Sequence, residues 1–238
     1  MRFILNLKES GARVVLAVAG AMVTLFGPDT IAFNDALPEY DYWTPIMSIP
    51  GMLGITLENL NSPLSYISPD ATGVKQWQKR LGVKKKLRIG FSWAGRRDTW
   101  IHQHKSVPFE QIVKLIKSNP QHEWVNLQID ADEAESAILT QLGCATYPGT
   151  ISCMADSAAL IMCMDVIVSV DTVVSHLAAA MGRPTWIMLN HYGTDWRWLL
   201  NRADSPWYPT ARLFRQPTIG DWDSVVNKIT LHLNLFKI

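Results

Sequence analysis

Asp171, Thr172 and His176 form a distinctive polar group, because they directly follow a run of β-branched residues. That run, residues 166–170, is short and apolar enough to be a strand buried on both faces. Asp171 and Thr172 are preferred helix N-cap residues, and His176 falls four positions after Thr172 on the same helix face. Because the first N–H groups of a helix have no intrahelical partner, this pattern predicts an anion site of the kind that holds phosphate.

Capping is a simpler explanation for the same residues. Because Asp and Thr are common at helix starts, Asp171 or Thr172 could do no more than cap the helix. His176 could equally be a histidine whose hydrogen bonds are satisfied in the core. The sequence leaves the anion-site and cap-only interpretations open.

The loop at residues 94–108 would reach the same edge of a parallel sheet. It is long for a strand-to-helix connection, and long loops in compact domains are often functional. Arg96, Arg97 and Lys105 supply cations for a phosphate, while Ser106 can donate to phosphate or cap the next helix. No glycine-rich dinucleotide or Walker pattern is present, so those two kinds of site are not indicated.

Two further strand ends supply the remaining polar groups. Gln128 ends a predicted strand and could meet a nucleoside, although a strand end followed by a helix cap explains it as well. Asp195 could accept from hydroxyls and Arg197 could face anions, in a turn that closes over a ligand. The alternative is that Trp196 and Trp198 pack under the sheet edge while Arg197 pairs with Asp195.

The elements that must position these residues alternate regularly in the second part of the chain. Apolar runs that predict strands are separated by helical patterns with cap residues at their starts. Repeated β–α alternation predicts an α/β fold with a doubly wound parallel sheet. The predicted strands are residues 87–93, 123–128, 144–147, 166–170, 185–189 and 211–214, and the predicted helices are residues 108–118, 131–142, 156–163, 171–182, 195–200 and 221–235.

The first part of the chain shows no such alternation. Turn residues break residues 27–69 repeatedly, which indicates short strands and irregular loops. Asp70 starts a predicted helix that a glycine closes, and the lysines at residues 84–86 follow it as a join. These features divide the chain into residues 1–83 and residues 84–238.

Composition indicates a globular protein, because 48% of the 238 residues are hydrophobic and 18% are charged. The net charge of +1 argues against a nucleic-acid partner, since such proteins usually carry a basic excess. The apolar run at residues 14–26 is too short for a membrane span and no clean cleavage site follows it, although a secretory signal stays an alternative. Cys144, Cys153 and Cys163 have no metal-site spacing and are most simply reduced thiols in the cytoplasm.

With these stretches in view, the second part of the chain resembles the C-terminal half of GT-B glycosyltransferases, specifically the heptosyltransferase family (glycosyltransferase family 9). It is most similar to the branch found at the C-terminus of bacterial tetratricopeptide-repeat proteins. The resemblance covers roughly residues 87–235, and the motifs occur in the family's order. The matching motifs are residues 88–95, 105–108, 168–177, 182–186, 195–198 and 205–209.

The resemblance implies a nucleotide-diphosphate-sugar donor bound in residues 84–238 and sugar transfer to an acceptor hydroxyl. Asp171, Thr172 and their helix would hold the pyrophosphate, Lys105 would add charge to it, and His176 would support the site. Fixed cations and a helix terminus can stabilise a leaving diphosphate, so neither a metal nor another cofactor is expected. The expected donor-binding residues are Lys105, Ser106, Gln128, Asp171, Thr172, His176, Asp195, Trp196 and Arg197.

The resemblance also implies that residues 1–83 are a truncated N-terminal GT-B lobe that lacks the family's usual catalytic base. Asp35, Glu39 and Asp41 are the carboxylates to consider instead, and nothing selects among them. A truncated lobe would leave the apolar run at residues 14–26 uncovered for a protein partner or a second copy. The alternatives to a glycosyltransferase are a catalytically silent nucleotide-binding or interaction module and a sugar-nucleotide epimerase of related architecture.

Overall fold

A computed structural model describes the protein over residues 1–95 and 105–236, and in this part of the chain it contains a six-stranded and a two-stranded sheet. The strands are β1 (Leu16–Val18), β2 (Thr30–Ala32), β3 (Arg88–Ser92), β4 (Glu123–Asn126), β5 (Val166–Val170), β6 (Thr185–Leu189), β7 (Asp204–Ser205) and β8 (Tyr208–Arg215). The helices are α1 (Ile4–Glu9), α2 (Val23–Phe26), α3 (Ile49–Met52), α4 (Ala71–Leu81), α5 (Phe109–Lys117), α6 (Glu133–Gln141), α7 (Met154–Met162), α8 (Val173–Ala180) and α9 (Trp222–Leu235). Short 3-10 turns lie at Gly20–Met22 and Trp196–Trp198.

The large sheet has the strand order β4-β3-β5-β6-β8-β7. Neighbouring strands are parallel except β7, which pairs antiparallel with β8. The chain runs from β3 outward to β4 and then crosses back to β5 on the other side of β3. The connections therefore leave β3 in opposite directions, which creates a switch point at the carboxyl ends of β3 and β5.

Helices cover both faces of the large sheet, which is why its central strands are mostly apolar. All five residues of β3, β5 and β6 are buried. One face packs against α5, α6 and α9, and the other packs against α4, α7 and α8. A parallel strand buried on both faces has no polar side, so the continuous apolar runs in the sequence are explained.

The predicted α/β class and mostly parallel sheet are confirmed, but two predicted elements are wrong. Residues 144–147 form only an isolated bridge between Ala145 and Val125, because proline and glycine follow at once and cannot extend a ladder. The helix predicted at residues 195–200 is only a 3-10 turn, since Leu199 and Asn201 adopt positive φ angles of 49° and 55° that end it.

Three short elements were not predicted. The helix α1 begins after Phe3, which cannot cap a helix, and α3 has only four residues, which is too short for a periodic pattern to show. The strand β7 has two residues, which is too short for a periodic pattern to show.

The first 83 residues pack against the second part of the chain at several places. Trp77 of α4 is buried in the cluster formed with α7 and α8, and Gly73 lets α4 approach α7 closely. The backbone N–H of Tyr66 donates to the carbonyl of Ala180 at 2.9 Å. The guanidinium of Arg2 donates to the carbonyl of Trp207. The division after residue 83 stays a prediction.

The lysines at residues 84–86 also contact the second part of the chain. Lys84 forms an ion pair of 2.9 Å with Asp165. The N–H of Lys85 donates to Glu123, and Lys86 donates to the carbonyl of Pro120. The join is exposed, but each of its three lysines contacts the second part of the chain.

The uncovered apolar surface lies elsewhere than the sequence predicted. The apolar side chains at residues 14–26 larger than alanine are partly or fully buried, because β1 pairs with β2 and α2 packs on α7, so that expectation is wrong. Exposed apolar side chains are concentrated instead at residues 33–64, which have little regular structure. Separately, none of the helices among the described residues has the length and apolar character that a membrane span requires.

Candidate functional site

A cavity of about 380 Å³ opens at the carboxyl ends of β3, β4 and β5. It lies at the switch point of the sheet, where open α/β proteins bind their ligands. Its wall is mostly apolar, and the start of α8 forms one side. The lining residues include Ala94, Leu127, Gln128, Ile151, Met154 and Thr172.

Asp171 lies at the junction of β5 and α8 with a side chain that is only 5% exposed. Its Oδ2 accepts from Lys105 Nζ at 2.8 Å and from the backbone N–H of Asp195 at 3.2 Å. Its Oδ1 accepts from Trp198 Nε1 at 2.8 Å, and His176 Nε2 lies 3.4 Å away. The carboxylate therefore joins several segments of the chain and holds the Lys105 ammonium beside the start of α8.

The charge of Asp171 is fixed by these donors. Burial alone would raise the pKa of Asp171, but hydrogen bonds from His176, Lys105 and Trp198 outweigh burial and hold that pKa well below its usual range. The carboxylate is ionised at neutral pH and balances the Lys105 ammonium. Such a group is a poor general base, because it gives up a proton far too readily.

His176 is held from two sides. Its Nδ1 lies 3.1 Å from the hydroxyl of Tyr208, and its ring stacks on Trp198 with 4.9 Å between ring centroids. Burial, and to a lesser degree Tyr66, raises the pKa of Tyr208, so its phenol stays protonated. Because Trp198 also donates to Asp171, the carboxylate and the three rings form one connected cluster.

The first turn of α8 faces the cavity. The N–H of Thr172 donates to Ser175 Oγ at 3.2 Å, and that hydroxyl donates to the carbonyl of Thr172 at 2.8 Å. These bonds fix the helix start. Val173 and Val174 both line the cavity, and the N–H groups of a first helical turn have no intrahelical partner. Together with the helix dipole, they can bind an anion there.

Gln128 lines the cavity, but its amide is engaged within the protein. Its Oε1 accepts from Ser92 Oγ at 2.8 Å and from the N–H groups of Trp93 and Ala94 at 3.1 and 3.0 Å. Its Nε2 donates to Asp130. The side chain thereby braces the end of β3 and shapes the cavity wall.

The turn after β6 lies beside the Asp171 cluster. Arg197 forms two contacts of 3.0 Å with Asp195, and its guanidinium lies 4.3 Å over the Trp196 ring. The Arg197–Asp195 pair that the sequence left as an alternative is therefore present. Trp198 is fully buried under the sheet edge, whereas Trp196 is 46% exposed. Arg197 Nη2 also contacts Met47 Sδ at 3.5 Å, which links this turn to the first part of the chain.

The structure brings most of the predicted residues together. Thr172 and Gln128 lie on the cavity side, and Ser106 is partly buried next to Lys105. The predicted cations Arg96 and Arg97 lie outside the described residues. Hydrogen bonds and ion pairs also connect five of the predicted residues around Asp171, namely Lys105, Asp171, His176, Asp195 and Arg197.

Trp198 and Tyr208 were not predicted as site residues. They contact Asp171 and His176 through a hydrogen-bonding atom at the edge of an aromatic ring. The signal was present, since a buried Trp or Tyr must find a partner for its polar atom. The sequence did not indicate which partner, because Tyr208 reaches His176 only through the pairing of β8 with β6.

Within residues 1–95 and 105–236, no group of three His, Cys, Asp or Glu side chains is arranged to hold a metal ion. The cation beside the start of α8 is the Lys105 ammonium. Any anion bound there would meet this ammonium and the N–H groups of the helix.

The strand order, the cavity at the switch point and the helix start define a doubly wound α/β protein. Residues 105–189 match the family described as glycosyltransferase family 9 (heptosyltransferase). The chain is also 25% identical to Protein FlbA of Caulobacter vibrioides over 207 residues, which are 83% of this chain and 34% of FlbA.

Two solved structures share the fold. ADP-heptose LPS heptosyltransferase II of E. coli has a TM-score of 0.54 and 18% identity, over 75% of this chain and 55% of that chain. The family 9 glycosyl transferase of Veillonella parvula has a TM-score of 0.57 and 14% identity, over 79% of this chain and 57% of that chain. This chain therefore spans about a third of FlbA and little more than half of each solved structure.

Proposed function

We propose that the protein is glycosyltransferase-like and binds a nucleotide-diphosphate sugar in the cavity at the switch point. One observation carries this proposal: an apolar cavity of about 380 Å³ ends on the first turn of α8, beside the Lys105 ammonium. One end of such a site offers an apolar surface for a nucleoside, and the other end offers hydrogen-bond donors for a diphosphate. The match of residues 105–189 to glycosyltransferase family 9 supports the same assignment.

The orientation of the donor follows from the polarity of the site. The nucleoside would lie against Leu127, Ile151 and Met154, and its diphosphate would meet the N–H groups at the start of α8. The sugar would then extend from the diphosphate toward the turn after β6. Asp195 and Arg197 lie there and could bind its hydroxyls.

The chemistry would be an attack of an acceptor hydroxyl on the anomeric carbon of the sugar. As the bond to the diphosphate breaks, negative charge grows on the leaving phosphate oxygens. Lys105 and the helix dipole would stabilise that charge in place, because the Lys105–Asp171 pair positions the ammonium beforehand. The donor step would then need no metal ion.

A ligand-binding screen of the full chain tests the donor site. Thermal unfolding and calorimetry would be measured with ADP-, UDP-, GDP- and CDP-sugars. ADP-sugars come first, because a solved structure with the same fold is named for ADP-heptose. A ligand present at about one hundred times its Kd should stabilise the fold by about 2.7 kcal/mol. A lack of response to every nucleotide sugar would contradict the proposal.

Lys105→Ala is the variant that tests the placement of the diphosphate. Losing one charge-assisted contact should weaken binding at least about tenfold. Lys117→Ala is the matched control, since Lys117 is an exposed lysine on α5, outside the site. Equal affinity of the two variants would remove Lys105 from the donor site.

A catalytically silent binding module is the second candidate. Among the described residues of the site, the carboxylates of Asp171 and Asp195 are both engaged with donors, so neither is available as a general base. Specific donor binding without transfer or donor hydrolysis would favour this candidate. Release of free nucleoside diphosphate on addition of an acceptor would favour the transferase.

We further propose residues 84–238 as the nucleotide-sugar-binding domain and residues 1–83 as part of an N-terminal GT-B lobe. The three cysteines are free, which fits a cytoplasmic protein, because an oxidising compartment favours disulfides. Limited proteolysis in the presence and absence of a stabilising nucleotide would test the division, since protection should concentrate in residues 84–238.

A further inference from the structure

Residues 33–57 form an exposed surface that we call the acidic-aromatic face. Tyr42 is 93% exposed and Trp43 is 76% exposed, in a segment whose helical part is limited to Ile49–Met52. Aliphatic side chains such as those of Leu37 and Met52 are also exposed. Exposed apolar side chains concentrated in one segment are typical of a binding surface, whereas single exposed apolar side chains are common on any protein.

Charge selects the chemistry of the partner. Residues 14–74 contain no lysine, arginine or histidine, although the chain has 22 lysines and arginines in total. The acidic-aromatic face itself carries Asp35, Glu39 and Asp41, all exposed. Among the described residues, no cation lies within ion-pair distance of these three carboxylates. An anionic partner such as a phospholipid surface, a phosphorylated glycan or a nucleic acid would be repelled.

The aliphatic residues distinguish a polypeptide from a neutral glycan. Sugars stack on aromatic rings, and Tyr40, Tyr42 and Trp43 could serve that purpose alone. Leu37 and Met52 offer no such stacking face, whereas they can pack against apolar side chains of another polypeptide. Aromatic rings beside carboxylates are also good neighbours for lysine and arginine side chains.

We infer that the acidic-aromatic face docks a basic amphipathic segment of a partner polypeptide. Its aliphatic and aromatic side chains would cover the apolar residues of that segment, and its carboxylates would meet the lysines or arginines. Complementary charge of this kind mainly provides specificity and a fast association rate.

The face is continuous with the site at the switch point. Met47 belongs to the face, and its sulfur contacts Arg197, which pairs with Asp195 beside the Asp171 cluster. If the proposed function holds, the bound segment would present the acceptor hydroxyl; that role rests on the proposed function, whereas the docking does not.

Peptide binding to the full chain tests the inference. Three fluorescent peptides share the same leucine positions, and their remaining positions are all lysine, all glutamine or all glutamate. Fluorescence anisotropy without nucleotide should show binding of the lysine peptide and at least about tenfold weaker binding of the other two. Raising the salt from about 0.05 M to about 0.5 M should weaken that binding, because screening shortens the range of the charges.

The charge-neutralised variant Asp35→Asn/Glu39→Gln/Asp41→Asn should bind the lysine peptide about tenfold more weakly than the unmodified chain. The control variant Glu9→Gln/Glu110→Gln/Glu133→Gln removes the same charge from exposed positions elsewhere and should bind like the unmodified chain. Circular dichroism would confirm that both variants fold. Equal binding by both variants, or equal binding of all peptides, would overturn the inference.

Sedimentation and the nucleotide-sugar screen separate the remaining outcomes. Self-association that the face variant abolishes would replace the polypeptide partner by a second copy and overturn the inference. Donor binding should be the same in the face variant and the unmodified chain. A failed donor screen with retained peptide binding would reject the proposed function alone.

Discussion

Asp171 organises the site through its neighbours, because its carboxylate accepts from Lys105, Trp198 and the backbone N–H of Asp195. A buried carboxylate would repel a diphosphate. The negative charge of Asp171, however, is balanced by the ammonium of Lys105, and its Oδ1 accepts a hydrogen bond from the indole of Trp198. Beside the Lys105–Asp171 pair, the N–H groups of the first turn of α8 are hydrogen-bond donors that face the cavity. Asp171 is therefore expected to affect the binding of a nucleotide sugar by positioning Lys105.

Asp171→Asn should lower the stability of the free protein by about 2–4 kcal/mol at pH 7, because the Lys105 ammonium would be left without its counter-ion. The depressed pKa of Asp171 contributes stability above the unfolded-state value of about 3.9, and that contribution is lost as pH falls below it. The difference in Tm between the two proteins should therefore shrink below about pH 4. A difference independent of pH would show that the charge of Asp171 is not the cause.

The cysteines should differ in reactivity because burial differs among them. Burial raises the pKa of the Cys144 thiol to about 12, so almost no thiolate is present at pH 8. Burial also raises the pKa of Cys163, partly offset by Arg88 and Arg183. We expect iodoacetamide at pH 8 to label Cys153 first and Cys144 only after unfolding, as followed by mass spectrometry of the peptides. Early labelling of Cys144 in the native protein would contradict this packing.

Gly182 lies two residues after the end of α8, where two requirements coincide. The φ angle of Gly182 is +73°, and a Cβ at that position would lie 2.8 Å from the backbone carbonyl oxygen of Leu64. Gly143 lies two residues after the end of α6 and has a similar φ of +77°, but a Cβ added there would have nothing within 4 Å. The two glycines therefore separate backbone strain from a steric clash.

Gly182→Ala should destabilise the protein by about 1–3 kcal/mol more than Gly143→Ala, because only the first forces the backbone at Leu64 to move. Urea unfolding of both variants would measure the difference, with the free energy of unfolding taken from the midpoint and slope. Equal losses would show that residues near 64 do not pack tightly against the end of α8.

Elements with a strong local pattern could be predicted from the sequence, and those that depend on distant pairing could not. The strands Val166–Val170 and Thr185–Leu189 have the bounds that their apolar runs predicted, because burial on both faces leaves a continuous signal. The helix Ala71–Leu81 has the predicted Asp70 cap, whose side chain accepts from the N–H of Gly73. By contrast, β7 exists only because β8 is beside it.

The site shows the same limit. Asp171, Lys105 and His176 were predicted because polar residues at strand ends and helix starts meet at one sheet edge. The role of Trp198 was missed, since nothing local indicates that its indole reaches Asp171 across 27 residues of chain. The location of the exposed apolar surface was missed because the pairing of β1 with β2, which helps to bury residues 14–26, is itself nonlocal.

At the scale of the whole molecule, residues 1–83 are attached to the large sheet by contacts of different kinds. Apolar packing joins α4 to α7, a backbone hydrogen bond joins Tyr66 to Ala180, and the buried guanidinium of Arg2 joins Trp207. Arg2 also lies 5.0 Å from the ring centroids of Tyr66 and Trp207. The packing and the two hydrogen bonds join residues 1–83 to residues after position 154, so the two parts of the chain share one packed structure.

The free protein should accordingly unfold in one cooperative transition. Far-ultraviolet circular dichroism follows all helices, and near-ultraviolet circular dichroism follows the tryptophans that pack at the contacts between the two parts. We expect both midpoints to coincide, and the calorimetric enthalpy to equal the van't Hoff enthalpy. Trp77→Ala should shift both midpoints together, with a loss of about 3–5 kcal/mol for a large buried aromatic side chain. A separate early transition would contradict this prediction if Trp77→Ala shifted its midpoint and left the main midpoint unchanged. That result would show that residues 1–83 unfold independently of the large sheet.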